Sequence, residues 1–164
     1  MRKIIFLDRD GVINIERGDY TFRLEDFVFV DGLFSALSLL KNKGFEFIVI
    51  TNQGGISKGI YTHDAVNKLN KLIKKEFEKH QLNILDIYYC PHHSDIEKCI
   101  CRKPNSLLIE KAIAKYNIDT TNSFFIGDSD RDIEAAHKVG VKGIKVNKNS
   151  NLNVYLNQII TKVE

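Results

Sequence analysis

Residues 4–7, Ile-Ile-Phe-Leu, are apolar without a break and stop abruptly at Asp8-Arg9-Asp10-Gly11. An unbroken apolar run of this length suits a strand buried on both faces, as in a parallel sheet covered by helices. Its C-terminal end then carries two carboxylates. Residues two apart in an extended segment project to the same side, so Asp8 and Asp10 can address one bound group, and Gly11 permits a sharp turn behind them. Asp-x-Asp after a strand also occurs in sugar-nucleotide enzymes and metal loops, so the rest of the chain has to decide between them.

The chain repeats the pattern. An amphipathic helix over 32–43 stops at Gly44, and a second strand, 45–50, runs into the turn Thr51-Asn52-Gln53-Gly54-Gly55. A long helix spans Thr62 to about His80, with Asp64 at its positive end, and a third strand over 86–89 ends at Cys90. A helix over 105–116, a fourth strand over 123–126, a helix to Val139, a fifth strand over 143–146 and a helical pattern over 152–163 complete the chain. Residues 14–31 are polar and mixed, and form a loop over the active end with a short β-ribbon at 27–30. Strands alternating with helices at this spacing predict an α/β fold: a parallel sheet with helices on both faces, in one domain spanning 1–164. Ligands in such sheets bind at the carboxyl ends of the strands. The unusual polar clusters all lie there.

With 164 residues the chain can bury roughly 70% of its unfolded surface. No apolar run approaches the ~20 residues of a membrane span, and Met1-Arg2-Lys3 leads into a strand without a small-residue cleavage site. A soluble, cytoplasmic, monomeric protein is expected. The net charge is +3, and the densest lysines (Lys71, Lys74, Lys75, Lys79) share a segment with Glu76 and Glu78. That is a solvated helix face and not a nucleic-acid groove, while the overall sign suits a small anionic substrate.

Taken together, the strand ends offer Asp8 and Asp10, then Thr51 and Asn52, then Lys103, then Asp128 and Asp132. Two carboxylates ~4 Å apart at an effective dielectric near 20 repel by about 4 kcal/mol, so a crevice holding several acids requires a cation. Oxygen ligands point to Mg²⁺. A carboxylate can attack phosphorus once a metal and a lysine offset charge on the phosphoryl oxygens, and a second carboxylic acid can protonate the leaving oxygen and later activate water. The three cysteines all lie between Cys90 and Cys101. Cys90, His92, Cys99 and Cys101 match a closed tetrahedral structural Zn²⁺ site, with His93 as the alternative nitrogen ligand and an incidental Cys-x-Cys as the alternative reading. Arg102 and Lys103 follow directly, so a metal clip would fix where both cations point. The fork of Arg102 suits a second phosphate or a carboxylate.

In order and wording the clusters DRDGVIN, TNQ, RKP and GDSDRD resemble the four motifs of the haloacid dehalogenase superfamily of phosphohydrolases. The resemblance implies a Rossmann-like three-layer sandwich with strand order 5-4-1-2-3. It implies that Asp8 is the nucleophile, that Asp10 is the general acid/base and also offers Mg²⁺ its backbone carbonyl, and that Thr51 and Asn52 hold the phosphoryl group. Lys103 then neutralises that group, Asp128 ligates Mg²⁺ and Asp132 supports it. The segment C-x-H…C-x-C-R-K-P is similar to a small subgroup acting on heptose bisphosphate or histidinol phosphate, and DRDGVIN, GDYTFRLEDFVFVDG and TNQGGISKGIYT look more like the heptose enzymes.

That subgroup implies an Mg²⁺-dependent phosphatase removing the 7-phosphate of a heptose 1,7-bisphosphate, with histidinol phosphate as the rival substrate. The intervals between motifs are too short for a large cap domain, so loops shape the site: Asp19 and Tyr20, Asn52, Gln53, Gly54 and Gly55, and Arg102 with Lys103. Two positions depart from the pattern, Gly54 where serine is frequent and Ser129 where a basic residue is common. A receiver-type phosphoacceptor domain is the alternative from another class, but its phosphorylated Asp follows a middle strand, where this chain has Cys90.

Overall fold

The computed structural model describes residues 1–161. Strands β1 (Lys3–Leu7), β2 (Phe45–Asn52), β3 (Ile84–Cys90), β4 (Phe124–Gly127) and β5 (Lys142–Lys145) pair in parallel in the order β3-β2-β1-β4-β5, the implied order read from the other edge. The helices are α1 (Leu33–Asn42), α2 (His63–Lys79), α3 (Leu107–Tyr116), α4 (Asp130–His137) and the short α5 (Asn157–Ile160).

Side-chain alternation along the central strands explains the three layers. Ile5 and Leu7 of β1, Phe45, Phe47 and Val49 of β2, and Phe124 and Ile126 of β4 enter one core with α1, α2 and the C-terminal segment. Ile4 and Phe6, Ile48 and Ile50, and Phe125 point the other way, against Leu108, Ile109 and Ala112 of α3 and Ala135 and Ala136 of α4. Both faces of β1 are therefore covered, which is what the apolar run at 4–7 demanded.

Several boundaries differ from expectation. Strand β3 begins at Ile84 and runs through Cys90, because its pairing with β2 continues across the polar Asp86 and the register shift beside it. The ribbon at 27–30 is a single antiparallel bridge, Asn14 to Phe29, flanked by hydrogen bonds from Ile15 N to Val28 O and from Val30 N to Ile13 O. The last helical pattern splits into a 3-10 turn, Leu152–Tyr155, and α5, and its end beyond 161 lies outside the described residues. Asn151 sets that turn, its side chain accepting a hydrogen bond from Asn153 N at 3.0 Å.

Parallel strands put all their carboxyl ends on one edge of the sheet, and the order places β1 between β2 and β4. Asp8 N donates to Ile126 O at 3.0 Å, extending the ladder one residue past β1 and bringing the acids after β1 and β4 together. Gly11, at φ +88°, turns the chain where a Cβ would run into the Asp128 carboxylate.

Candidate active site

A cavity of about 570 Å³ opens at this edge, with Asp8, Asp10, Thr51, Asn52, Gln53, Lys103, Asp128 and Asp132 among its lining residues. Lys103, like Arg9, is a buried cation in its lining, only 2% exposed. Its Nζ donates to Asp8 Oδ1 at 2.8 Å and to Ile50 O at 2.7 Å, and it lies 2.7 Å from Asp132 Oδ1. An ammonium has three N–H donors, and here each faces an oxygen. Asn52 locks the lysine's backbone, its Nδ2 donating to Lys103 O at 3.1 Å while its Oδ1 accepts from Lys103 N at 3.0 Å.

Burial pushes the Asp8 carboxyl up to about 7; Lys103 pulls it down, while the Asp132 and Asp10 carboxylates add to the rise. Burial also raises Asp128, again with help from Asp132. Desolvation disfavours the Lys103 cation, but Asp8 and Asp132 together hold its pKa above the ordinary lysine value. Asp8, Asp128 and Asp132 bring carboxylate oxygens within 4.8 Å of one another. Carboxylates crowded this closely, two of them raised by burial, fit a hard cation such as Mg²⁺.

Asp10 is held from three directions. Its Oδ1 accepts from Arg9 at 2.9 Å and from Asn14 Nδ2 at 3.0 Å, and its Oδ2 accepts from Gln53 Nε2 at 3.1 Å. Gln53 Nε2 also reaches Thr51 Oγ1 at 2.9 Å, and its Oε1 accepts from Tyr61 OH at 2.7 Å. The Tyr61 ring stacks on Phe22 and meets Tyr20 edge-on, and a Cβ on Gly55 would run into it. Arg9 and Tyr61 thus build the wall behind Asp10. Neither was singled out from the sequence, although Tyr61 follows the TNQ motif closely enough to suggest it.

Asp132 both caps α4 and faces the buried lysine. Its Oδ2 accepts from Ser129 N at 3.2 Å and Ser129 Oγ at 3.0 Å at the start of α4, while its Oδ1 faces Lys103. Asp19 and Tyr20 line the cavity, whereas Gly54, Gly55 and Arg102 are not among its lining residues. Arg102 donates instead to His92 O at 3.0 Å. Gly54 lies under it, since a Cβ there would stand 2.9 Å from the His93 ring and 3.1 Å from the Arg102 guanidinium. Glu16, Arg131 and Lys148, none of them expected, complete the rim.

The sulfurs and ring nitrogen of Cys90, His92, Cys99 and Cys101 lie within 4.8 Å of one another. Ligands ~2.3 Å from a tetrahedral ion stand about 3.7 Å apart. Here Cys90 and Cys99 are 3.7 Å apart, and His92 Nδ1 is 3.5 Å from Cys90 and 3.2 Å from Cys101. His93 is occupied elsewhere, its Nδ1 accepting from Asp95 N at 3.2 Å. Burial raises the Cys90 thiol; at Cys99 burial is outweighed by the N–H groups of Arg102 and Cys101, which favour the thiolate. Three sulfurs gathered without a disulfide, with backbone donors aimed at one, fit a soft-ligand zinc site.

Residues 100–159 match the HAD-hydrolase-like family. The D-glycero-beta-D-manno-heptose-1,7-bisphosphate 7-phosphatase of Haemophilus influenzae is 39% identical over 152 residues, covering 90% of this chain and 80% of its own length. The D-glycero-alpha-D-manno-heptose-1,7-bisphosphate 7-phosphatase of Campylobacter jejuni is 41% identical over 133 residues, covering 81% and 75%. Among solved structures, the D,D-heptose 1,7-bisphosphate phosphatase of B. bronchiseptica, complexed with magnesium and phosphate, superposes with a TM-score of 0.83 at 27% identity over 95% of this chain and 86% of that one.

Proposed function

The chain belongs to the HAD-like hydrolases, on the branch of the heptose-1,7-bisphosphate 7-phosphatases, and we propose that it removes the 7-phosphate of D-glycero-D-manno-heptose 1,7-bisphosphate through an aspartyl-phosphate on Asp8. One observation carries the mechanism. Asp8 faces a buried lysine at 2.8 Å on the floor of a cavity whose remaining acids cluster beside it. The relatives carry the choice of sugar.

Asp8 and Asp128 would hold Mg²⁺, joined by the Asp10 backbone carbonyl, with Asp132 behind them. When bound, the ion offsets negative charge on the phosphoryl oxygens and keeps Asp8 ionised. The Asp8 carboxylate attacks phosphorus, the bond from phosphorus to the sugar oxygen breaks, and Asp10 gives that oxygen a proton. Asp10 then takes a proton from water, whose oxygen attacks phosphorus and releases Asp8. Lys103 turns one N–H from its present acceptors to the arriving phosphoryl oxygen. Thr51 and the backbone at Asn52 border the same space, and Asn52 keeps Lys103 on station. Arg9, Asn14 and Gln53 prevent the Asp10 carboxylate from swinging into the Asp8 position.

Cys90, His92, Cys99 and Cys101 would hold structural Zn²⁺, which ties the loop carrying Arg102 and Lys103 to the end of β3. The proposed state is a monomer. No helix among the described residues is long and apolar enough to cross a membrane. The substrate is a small phosphorylated sugar, and the proposed setting is the cytoplasm, without nucleic acid or membrane partners. Turnover of the purified protein on heptose 1,7-bisphosphate and on histidinol phosphate with Mg²⁺ tests the reading. Preference for histidinol phosphate would refute it.

A further inference from the structure

Four cations line the cavity, and three of them are neutralised within it. Arg9 pairs with Asp10 at 2.9 Å, Lys103 with Asp8 and Asp132 at 2.8 and 2.7 Å, and Lys148 with Glu16 at 2.9 Å. Arg131, on the first turn of α4, is the exception: among the described residues its guanidinium has neither a carboxylate partner nor a hydrogen bond, although it borders the cavity. A guanidinium beside a cavity with its fork unused is a receptor for a planar or tetrahedral anion. Arg102, the other arginine near the site, is turned to the His92 carbonyl and lies outside the cavity lining.

The surroundings of Arg131 reinforce the point. Lys58, Arg102 and Arg131 all lie close enough to His93 to act on it electrostatically. Asp95 is the acid among them, 3.5 Å from His93 and 3.7 Å from Lys58. Glu16 and Asp19 also line the cavity. A substrate with anions at both ends meets Lys103 with one and has a single unneutralised cavity cation left for the other.

We infer that Arg131 is a specificity-determining residue that binds the second, non-reacting phosphate of the substrate and so selects a bisphosphate over a monophosphate. This rests on the bisphosphate reading of the site. Arg131 is exposed on the helix surface, so its replacement leaves the fold intact. The test measures kcat and KM of the wild type, Arg131→Ala and Arg131→Lys on heptose 1,7-bisphosphate and on heptose 7-phosphate, with circular dichroism to verify folding. Arg131→Ala is expected to raise KM for the bisphosphate about 10- to 100-fold, the range for losing a hydrogen bond to a charged group, with kcat within about threefold. KM for the monophosphate stays unchanged, and Arg131→Lys recovers part of the loss. A wild type that does not favour the bisphosphate overturns the underlying reading and this assignment with it. A wild type that favours it, with the preference intact in Arg131→Ala or with both substrates weakened alike, overturns the assignment of Arg131 alone.

Discussion

Replacing Lys103 with methionine keeps the length of the side chain and removes its charge, and the outcome depends on pH in a way that a packing defect would not. In the wild type Nζ lies 2.8 Å from Asp8 and 2.7 Å from Asp132, with Asp128 oxygens also inside the 4.8 Å cluster. Each opposite pair at ~4 Å is worth about 4 kcal/mol at an effective dielectric near 20, offset by the desolvation of the ammonium. Removing one partner of a buried pair costs roughly 3–5 kcal/mol, because the other charges stay buried.

Protonation limits that loss. The Asp8 pKa in the folded protein, about 7, lies above its ordinary value of 3.8. A raised acid favours folding less as pH climbs from its unfolded value through its folded one, since the folded state releases its proton late and against a penalty. Without Lys103 the pKa rises further and that penalty extends upward in pH. Urea unfolding in EDTA should therefore show a deficit of roughly 3–5 kcal/mol near pH 8 and a smaller one near pH 5.5, where Asp8 carries its proton. With Mg²⁺ present, kcat should fall by at least about 10³-fold. A deficit equal at both pH values, or none at pH 8, would refute the assignment of Lys103 as the counter-ion of these acids.

Asp8→Asn removes the nucleophile and should eliminate turnover in a steady-state phosphate-release assay; retained activity would require another nucleophile. The thermal shift produced by Mg²⁺ should grow between pH 6 and 8, because binding must displace protons from Asp8 and Asp128, both raised by burial; a pH-independent shift would place the ion elsewhere. Elemental analysis should find about one zinc per chain, lost in Cys99→Ser together with thermal stability, and a zinc-free protein of full stability would discredit the clip. Tyr61→Phe leaves the buried Gln53 Oε1 without its donor, so stability should drop by about 1–3 kcal/mol and kcat by roughly tenfold at constant KM. An unchanged kcat would show that Gln53 orients Asp10 unaided.

Much of the fold was legible because its signals are local. The apolar run at 4–7 and the glycine stops at Gly44 and Gly140 each act over a few residues, the range over which side-chain periodicity and helix ends operate. The motif resemblance then assigned roles to Asp8, Asp10, Lys103 and Asp128. Boundaries failed where pairing overrode pattern, as in β3, whose ladder with β2 continues across the polar Asp86 to Ile84 despite a register shift.

By itself the sequence determined that carboxylates, a hydroxyl, a cysteine and a lysine follow strand ends, since chain direction and strand alternation are properties of short segments. It also pointed to Cys90, His92, Cys99 and Cys101 as a zinc donor set, with His93 as the alternative to His92. Only the tertiary structure decided between them, and only it decided which arginine remains free. Arg102 and Arg131 are alike as residues, but one meets the His92 carbonyl and the other meets no partner among the described residues. Lys103 reaches Asp8 across 95 positions of sequence, and Asn52 grips Lys103 across 51. Such pairings depend on how separate elements dock, and a side chain's polarity does not disclose which of several nearby oxygens it will face. For that reason the identity of the acids could be read from the chain, while the division of cations between holding the site together and awaiting the substrate could not.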